Sequence, residues 1–273
     1  ALYYPGAGGS GYNIAIGDMA MYGGVAGGAA SYNTALGQRT LYSVTAGSYN
    51  VAIGHQSLYS VKASGGNTAL GAYAGYNQIG ESGTFIGYNA GYYSTGSYNT
   101  FVGMSAGYGG TTSAPFSSGT NNIAMGFEAL KVFTTGYNNT IMGWRAGYSK
   151  TTGFANVYLG YQAGYRNTTG RSNIAIGGNA QQGVSGQTDG DYNISLGENS
   201  LLGLTTGNHN FAAGAGAGLS LTSGENNIIM GASAGDALTT TSNTVIIGRA
   251  AGSAINSADA NGTVLLGAYA GTA

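Results

Sequence analysis

One short motif organises the whole sequence: a mostly apolar triplet followed by glycine. The commonest spacing between these glycines is 17 residues, and some repeats carry insertions of two, three or six residues. Numbered as position 0 of each repeat, the fifteen glycines are Gly17, Gly37, Gly54, Gly71, Gly87, Gly103, Gly126, Gly143, Gly160, Gly177, Gly197, Gly214, Gly231, Gly248 and Gly267. A fixed period of this length is typical of a solenoid, in which each repeat forms one coil and neighbouring coils cover its apolar edge.

The composition fits a turn-rich β structure. The chain has 53 glycines among 273 residues but only 2 prolines, so collagen is excluded, and glycine at this density is unfavourable in helices. Charged residues are 6% of the chain, with 8 basic against 9 acidic, which argues against a nucleic-acid partner. No apolar run is long enough for a membrane helix. The first residues, 1–5, contain no initiator Met or leader pattern, as expected of a processed chain or of a segment.

The triplet before each glycine predicts a short strand. Positions −3 and −1 share one face because side chains alternate along a strand. Position −1 is apolar in every repeat, so we predict that this column forms the core. The predicted core residues are Ile16, Leu36, Ile53, Leu70, Ile86, Val102, Met125, Met142, Leu159, Ile176, Leu196, Met230, Ile247 and Leu266. The sequence therefore predicts an all-β fold, a β-solenoid or β-helix of about fifteen coils, in a single repeat domain over 1–273.

Position −2 is also apolar in all repeats but one, where it is Ser195. A solenoid with one face in water should alternate apolar and polar residues, so an apolar second face predicts that other copies cover it. The residues predicted for this interface are Phe85, Phe101, Ile141, Tyr158, Ile229, Ile246 and Leu265. A closed cyclic assembly avoids open-ended aggregation, and we expect a parallel homotrimer.

Two further columns complete the repeat. Asparagine occupies position −4 in twelve of fifteen repeats, which predicts a ladder of side-chain amides. Tyrosine occupies position +5 in eight repeats, at Tyr22, Tyr42, Tyr59, Tyr76, Tyr92, Tyr108, Tyr148 and Tyr165. Stacked aromatics with hydroxyl groups can pack chains together or contact the faces of sugars, and both interpretations stay open.

No pattern of chemical groups predicts catalysis, a cofactor or a metal. The glycine run 214–218 falls on the repeat's own glycine positions, without the helix of a dinucleotide site. Asp189 and Asp191 could hold calcium, but a polar turn is the better interpretation because further oxygen ligands are missing. His55 and His209 occupy different positions of the repeat, and the nine acidic residues share no column. We therefore do not expect an enzyme.

The repeat resembles a known array. Residues 139–153 and 156–170, with the segment Asn156-Val157-Tyr158-Leu159-Gly160-Tyr161-Gln162-Ala163-Gly164-Tyr165, look very like the NTAVGYQALYSNTTG repeats of bacteriophage tail-fibre proteins and related bacterial proteins. The resemblance covers essentially the whole chain. The heads of trimeric autotransporter adhesins are similar more weakly, because their repeat is shorter.

This resemblance implies a structural fibre protein of a virion, located in a tail fibre or similar appendage, whose partners are its own copies and host-surface glycans. The alternative is a bacterial surface adhesin or a self-assembling extracellular filament at the cell surface. An ice-binding solenoid would need a regular threonine array, but only five repeats have Thr at position −3.

Overall fold

Each repeat folds into one coil with one strand. The computed structural model describes residues 11–23, 29–110, 116–184, 190–255 and 260–272. Every strand has three residues, and the strands are β1 (Ile14–Ile16), β2 (Thr34–Leu36), β3 (Val51–Ile53), β4 (Thr68–Leu70), β5 (Thr84–Ile86), β6 (Thr100–Val102), β7 (Ile123–Met125), β8 (Thr140–Met142), β9 (Val157–Leu159), β10 (Ile174–Ile176), β11 (Ile194–Leu196), β12 (Phe211–Ala213), β13 (Ile228–Met230), β14 (Val245–Ile247) and β15 (Val264–Leu266). No α-helix occurs within the described ranges. The prediction of an all-β solenoid is confirmed.

The chain divides into two compact units, Ala1–Asn138 with β1–β7 and Asn139–Ala273 with β8–β15. Within each unit the strands pair in parallel and in chain order, with equal positions of the repeat side by side. Ile14 lies beside Thr34 in the first unit, and Thr140 lies beside Val157 in the second. Both units are built from the same coil, while a single domain over 1–273 stays a prediction.

Position 0 must be glycine for two reasons: its backbone conformation is strained for other residues, and the next coil leaves no room for a side chain. Gly143 has φ +137°, where residues with a side chain are strained, and a Cβ there would stand 2.2 Å from the carbonyl oxygen of Gly160. The same stacking brings the Gly160 amide to the Met142 carbonyl, where it donates a hydrogen bond of 2.9 Å. The period of the sequence therefore reflects backbones in direct contact.

The predicted asparagine ladder is confirmed. The Oδ1 atom of Asn173 accepts hydrogen bonds from the backbone N (2.8 Å) and Nδ2 (3.2 Å) of Asn193. Asn193 Nδ2 also donates to the Gly207 carbonyl at 2.9 Å, and Asn193 Oδ1 accepts two hydrogen bonds from Asn210. These amides are buried, and their hydrogen bonds to adjacent coils offset the cost of removing them from water. The column comprises Asn13, Asn33, Asn50, Asn67, Asn99 and Asn122 in the first unit and Asn139, Asn156, Asn173, Asn193, Asn210 and Asn227 in the second.

The two faces of the strands are the reverse of our prediction. The column at position −2 points into the coil, and its members from Ala15 to Ile246 are buried. The residues that we assigned to an interface are therefore core: Phe85, Phe101, Ile141, Tyr158, Ile229 and Ile246 are buried, and Leu265 is partly buried against the same core. The assignment was wrong because the turn residues also enter the interior, which leaves room for only one side chain from each strand.

The residues that we assigned to the core lie on the outside. Their exposure ranges from intermediate to 66% at Leu266. None of the fourteen is buried: Ile16, Leu36, Ile53, Leu70, Ile86, Val102, Met125, Met142, Leu159, Ile176, Leu196, Met230, Ile247 and Leu266. An apolar column that is nearly constant along the sequence is thus a surface column.

Complementary sizes at positions −2 and +4 fill the interior. A Cβ on Gly107 would fall 2.3 Å from the Phe101 ring, and one on Gly164 would fall 2.5 Å from the Tyr158 ring. In several repeats where position −2 is small, as at Ala35, position +4 is large and buried, as at Leu41. Two repeats are small at both positions, and there side chains from adjacent coils fill the space, as Leu58 and Phe85 do beside Gly75. All seven repeats with a large residue at −2 have Gly at +4, because the interior has close-packed density and constant volume.

Candidate functional site

The outward residues of the strands form an uncharged surface in each unit, which is apolar at position −1 and carries Thr at position −3 in five repeats. We call the residues at positions −3 and −1 of every strand the outer strand face. Neither position carries a charged side chain in any repeat. In the second unit Met142, Ile176, Met230 and Ile247 are 37–41% exposed, and in the first unit Leu70 is 47% exposed. Stacked coils make this surface flat and continuous within a unit, which is typical of a surface that binds another macromolecule.

The tyrosines at position +5 stack into a column along the first unit. We call Tyr22, Tyr42, Tyr59, Tyr76, Tyr92 and Tyr108 the long tyrosine ladder. Neighbouring ring centroids lie 4.8–5.5 Å apart and the ring planes differ by 1–19°. In the second unit Tyr148 and Tyr165 stack at 5.2 Å.

Stacking limits how these tyrosines can meet a sugar. A sugar that packs on an aromatic residue needs the face of the ring. Inside the long tyrosine ladder both faces of each ring are covered by neighbours, so the edges and hydroxyl groups are what remains accessible. Tyr22, at one end of the ladder, is 55% exposed. The geometry therefore favours hydrogen bonding from phenol groups over stacking as the mode of any glycan contact.

The ladder perturbs the ionisation of its own phenols. Burial is the largest cause that raises the pKa of Tyr92 to about 12, and the neighbouring phenols of Tyr76, Tyr93 and Tyr108 contribute to the same rise in that order of effect. Burial also raises the pKa of Tyr76 and Tyr108 above the ordinary value of 10.0. The cause is that a phenolate in a stacked column loses water and faces other ionising phenols.

We expect alkaline unfolding to follow from these shifts. Tyr92 has a higher pKa in the folded than in the unfolded chain, so its contribution to stability is complete below pH 10.0 and is lost as the pH rises towards about 12. Phenolate absorbance should show a late-titrating class in the folded protein that disappears in urea. Tyr92→Phe should remove part of that class. A single titration with the ordinary tyrosine pKa in the folded protein would contradict the ladder.

Aromatic side chains also stack in shorter columns at other positions of the repeat. Tyr12, Tyr32 and Tyr49 stack at 5.0–5.1 Å, and His209 stacks on Tyr192 at 5.0 Å in the equivalent column. His55 lies edge-on to Tyr73 at 5.2 Å. The two histidines thus serve as aromatic packing groups in separate columns and do not form a pair.

Trp144 stacks on Tyr161 at 4.9 Å, and the Arg145 guanidinium lies 4.5 Å from the Trp144 ring centroid. Neither Trp144 nor Arg145 is among the residues predicted from the sequence to form a site. A signal was present, because aromatic residues stand at position +1 in consecutive repeats. The arrangement is a surface aromatic pair with a cation over one ring.

Among the described residues, the other candidate groups lie in separate places. Asp191 pairs with Arg171 at 2.8 Å, whereas Asp189 lies outside the described residues. Among the described side chains, no three His, Asp or Glu groups lie close enough together to hold a metal ion. Gly214, Gly216 and Gly218 form the ordinary turn of a coil, each with positive φ. Within the described ranges there is also no helix with the length and apolarity needed to cross a membrane.

Comparison of the chain with protein-family models, curated proteins and solved structures finds no match.

Proposed function

We propose that this chain is a structural fibre protein of a virion, part of a tail fibre or similar appendage, with no catalytic role. The observation that supports the proposal best is the combination of stacked coils with an uncharged, apolar outer strand face. Such a surface serves association rather than chemistry. The repeat of the sequence, with its resemblance to tail-fibre arrays, supports the same function.

The fibre would be a parallel homotrimer joined through the outer strand face. Three residues of strand at a coil spacing of about 4.8 Å present roughly 50 Å² per coil, or about 400 Å² over β8–β15. That is comparable to the largest apolar patches of soluble monomers, which are often functional. Copies of this chain are the occupants that fit best, because their coils have the same spacing and lack charge on this face. A parallel arrangement keeps equal coils opposite one another.

Contact with host-surface glycans is the second part of the proposal. The phenol hydroxyls of the tyrosine ladders would donate and accept hydrogen bonds with sugars along the fibre. Their ring faces are engaged in stacking, so affinity per site would be low and binding would depend on many equivalent sites.

The mass of the assembly, measured for the unmodified chain and for substituted variants, tests the proposed trimer. Light scattering should give three times 27.2 kDa for the unmodified chain. Met230→Lys combined with Ile247→Lys places charges on adjacent strands of the outer strand face and should lower that mass. Thr206→Lys combined with Thr240→Lys, at exposed turn positions, is the matched control and should leave it unchanged. A stable monomer of 27.2 kDa for the unmodified chain would overturn the trimer.

Immunogold electron microscopy distinguishes the biological setting. Labelling of appendages on purified virions is the expected result. Labelling of bacterial cell surfaces or of detached filaments would instead support the adhesin or filament function.

A further inference from the structure

Two polar side chains stand in an otherwise apolar core column of the second unit. Position +7 faces the interior in most coils of this unit: Leu204, Leu221 and Leu238 are buried there, whereas Val184 is exposed. Lys150 and Asn167 hold this position in two consecutive coils, with exposures of 0% and 1%. A lysine is almost never fully buried, so its placement directly against an asparagine needs a physical explanation.

The contacts bring the amine to the amide. Lys150 Nζ contacts both Oδ1 of Asn167 and the carbonyl oxygen of Gly170. The Tyr158 ring centroid lies 5.6 Å from the same Nζ. A Cβ on Gly153 would fall 2.3 Å from Nζ, so the lack of a side chain there makes room for the amine.

The backbones on both sides are fixed by the coils. The Lys150 amide donates to the Gly147 carbonyl at 3.0 Å, and the Asn167 amide donates to the Gly164 carbonyl at 3.1 Å. These bonds fix the two backbones, and burial of both side chains restricts their movement before any reaction. Such fixed proximity greatly accelerates reactions that are slow between free molecules.

Complete burial of Lys150 favours the neutral, reactive form of its amine, whose two N–H groups are enough to supply the two acceptor oxygens. An ammonium ion buried in an apolar interior is costly, and a buried lysine tends to lose its proton and become a nucleophilic amine. The sequence contains no Asp or Glu between Glu128 and Asp189. Asn167 Oδ1 and the Gly170 carbonyl oxygen, which accept from Nζ, belong to neutral amides.

We propose that Lys150 and Asn167 form an intramolecular isopeptide bond that joins two consecutive coils. The lone pair of the neutral Nζ attacks Cγ of Asn167, and a bond forms between them. The Cγ–Nδ2 bond breaks, and Nδ2 leaves as ammonia with a proton that came from Nζ. The product is a secondary amide, and the step needs no oxidant, reductant or further reactant.

The cross-link does not depend on the identity of the fibre. It would hold two coils together when the solenoid is pulled or heated, because the chain between the linked residues could no longer extend. Formation should be slow, since an amide is a poor electrophile and no carboxylate lies in this part of the sequence to assist proton transfer.

Mass spectrometry of the whole chain tests the bond. After folded protein has been incubated for days and then denatured, the intact mass should be lower than the sequence mass by one ammonia. Trypsin should fail to cleave after Lys150. It should instead release one branched peptide in which residues 146–166 are joined to residues 167–171.

Variants exclude other sources of the mass loss. Lys150→Met combined with Asn167→Leu restores an apolar column and should have its full sequence mass. Loss of ammonia without the branched peptide would point elsewhere, for example to cyclisation at Asn261-Gly262, and would overturn the proposal. Full mass in the incubated native chain, with free peptides 146–150 and 167–171, would overturn it as well.

Discussion

Gly143→Ala should lower the free energy of unfolding by about 4 kcal/mol, the largest effect that we expect from removing or adding a single methyl group. At φ +137° an alanine is strained, and its Cβ would stand 2.2 Å from the Gly160 carbonyl oxygen. Neither coil can move away without breaking the parallel hydrogen bonds between β8 and β9. Urea unfolding followed by circular dichroism measures the loss.

Gly267→Ala is the matched control. Gly267 occupies the same position of the repeat with φ +115°, but an added Cβ would meet no atom within 4 Å. This variant should lose only the energy of backbone strain, about 1–2 kcal/mol. Equal losses at Gly143 and Gly267 would show that contact between coils does not determine position 0.

Ile141→Asp should prevent the second unit from folding, or cost about 4 kcal/mol or more, because it removes a buried side chain and buries a carboxylate. Ile141 is 0% exposed and packs against the backbone at Gly147, where an added Cβ would fall 2.7 Å from its Cδ1. Loss of the β-sheet circular dichroism signal and a lower melting temperature are the expected observations.

Met142→Asp, one residue further on, is the comparison. Met142 is 37% exposed on the outer strand face, so the carboxylate of the introduced aspartate would reach water in a single chain. The variant should keep the β-sheet signal and reduce the mass of the assembly. If Met142→Asp unfolded the chain while Ile141→Asp did not, the inside and outside of the strands would have been assigned the wrong way round.

The coil itself was predictable because every repeat carries similar residues at the same positions and is therefore under the same local constraints. Glycine at position 0 indicated a corner, the triplet before it indicated a strand, and asparagine at position −4 indicated a ladder of amides. All three are found, since each depends on backbone geometry that recurs with the period of 17 residues. The column of tyrosines at position +5 could also be predicted from the sequence. The sequence did not indicate that the rings would cover one another's faces.

The sequence by itself determined the period, the strands and the stacking of coils in register. It also indicated which face is internal, through a pairing of sizes that did not enter our prediction. Phe101 occurs with Gly107 whereas Ala35 occurs with Leu41, as expected of two positions that share the interior. Only the tertiary structure decided the faces, because all three strand positions are uncharged and mostly apolar, and alternation gives no absolute direction. Turn residues such as Leu41 fill the interior, so one strand side chain enters it and the nearly constant apolar column at position −1 remains outside.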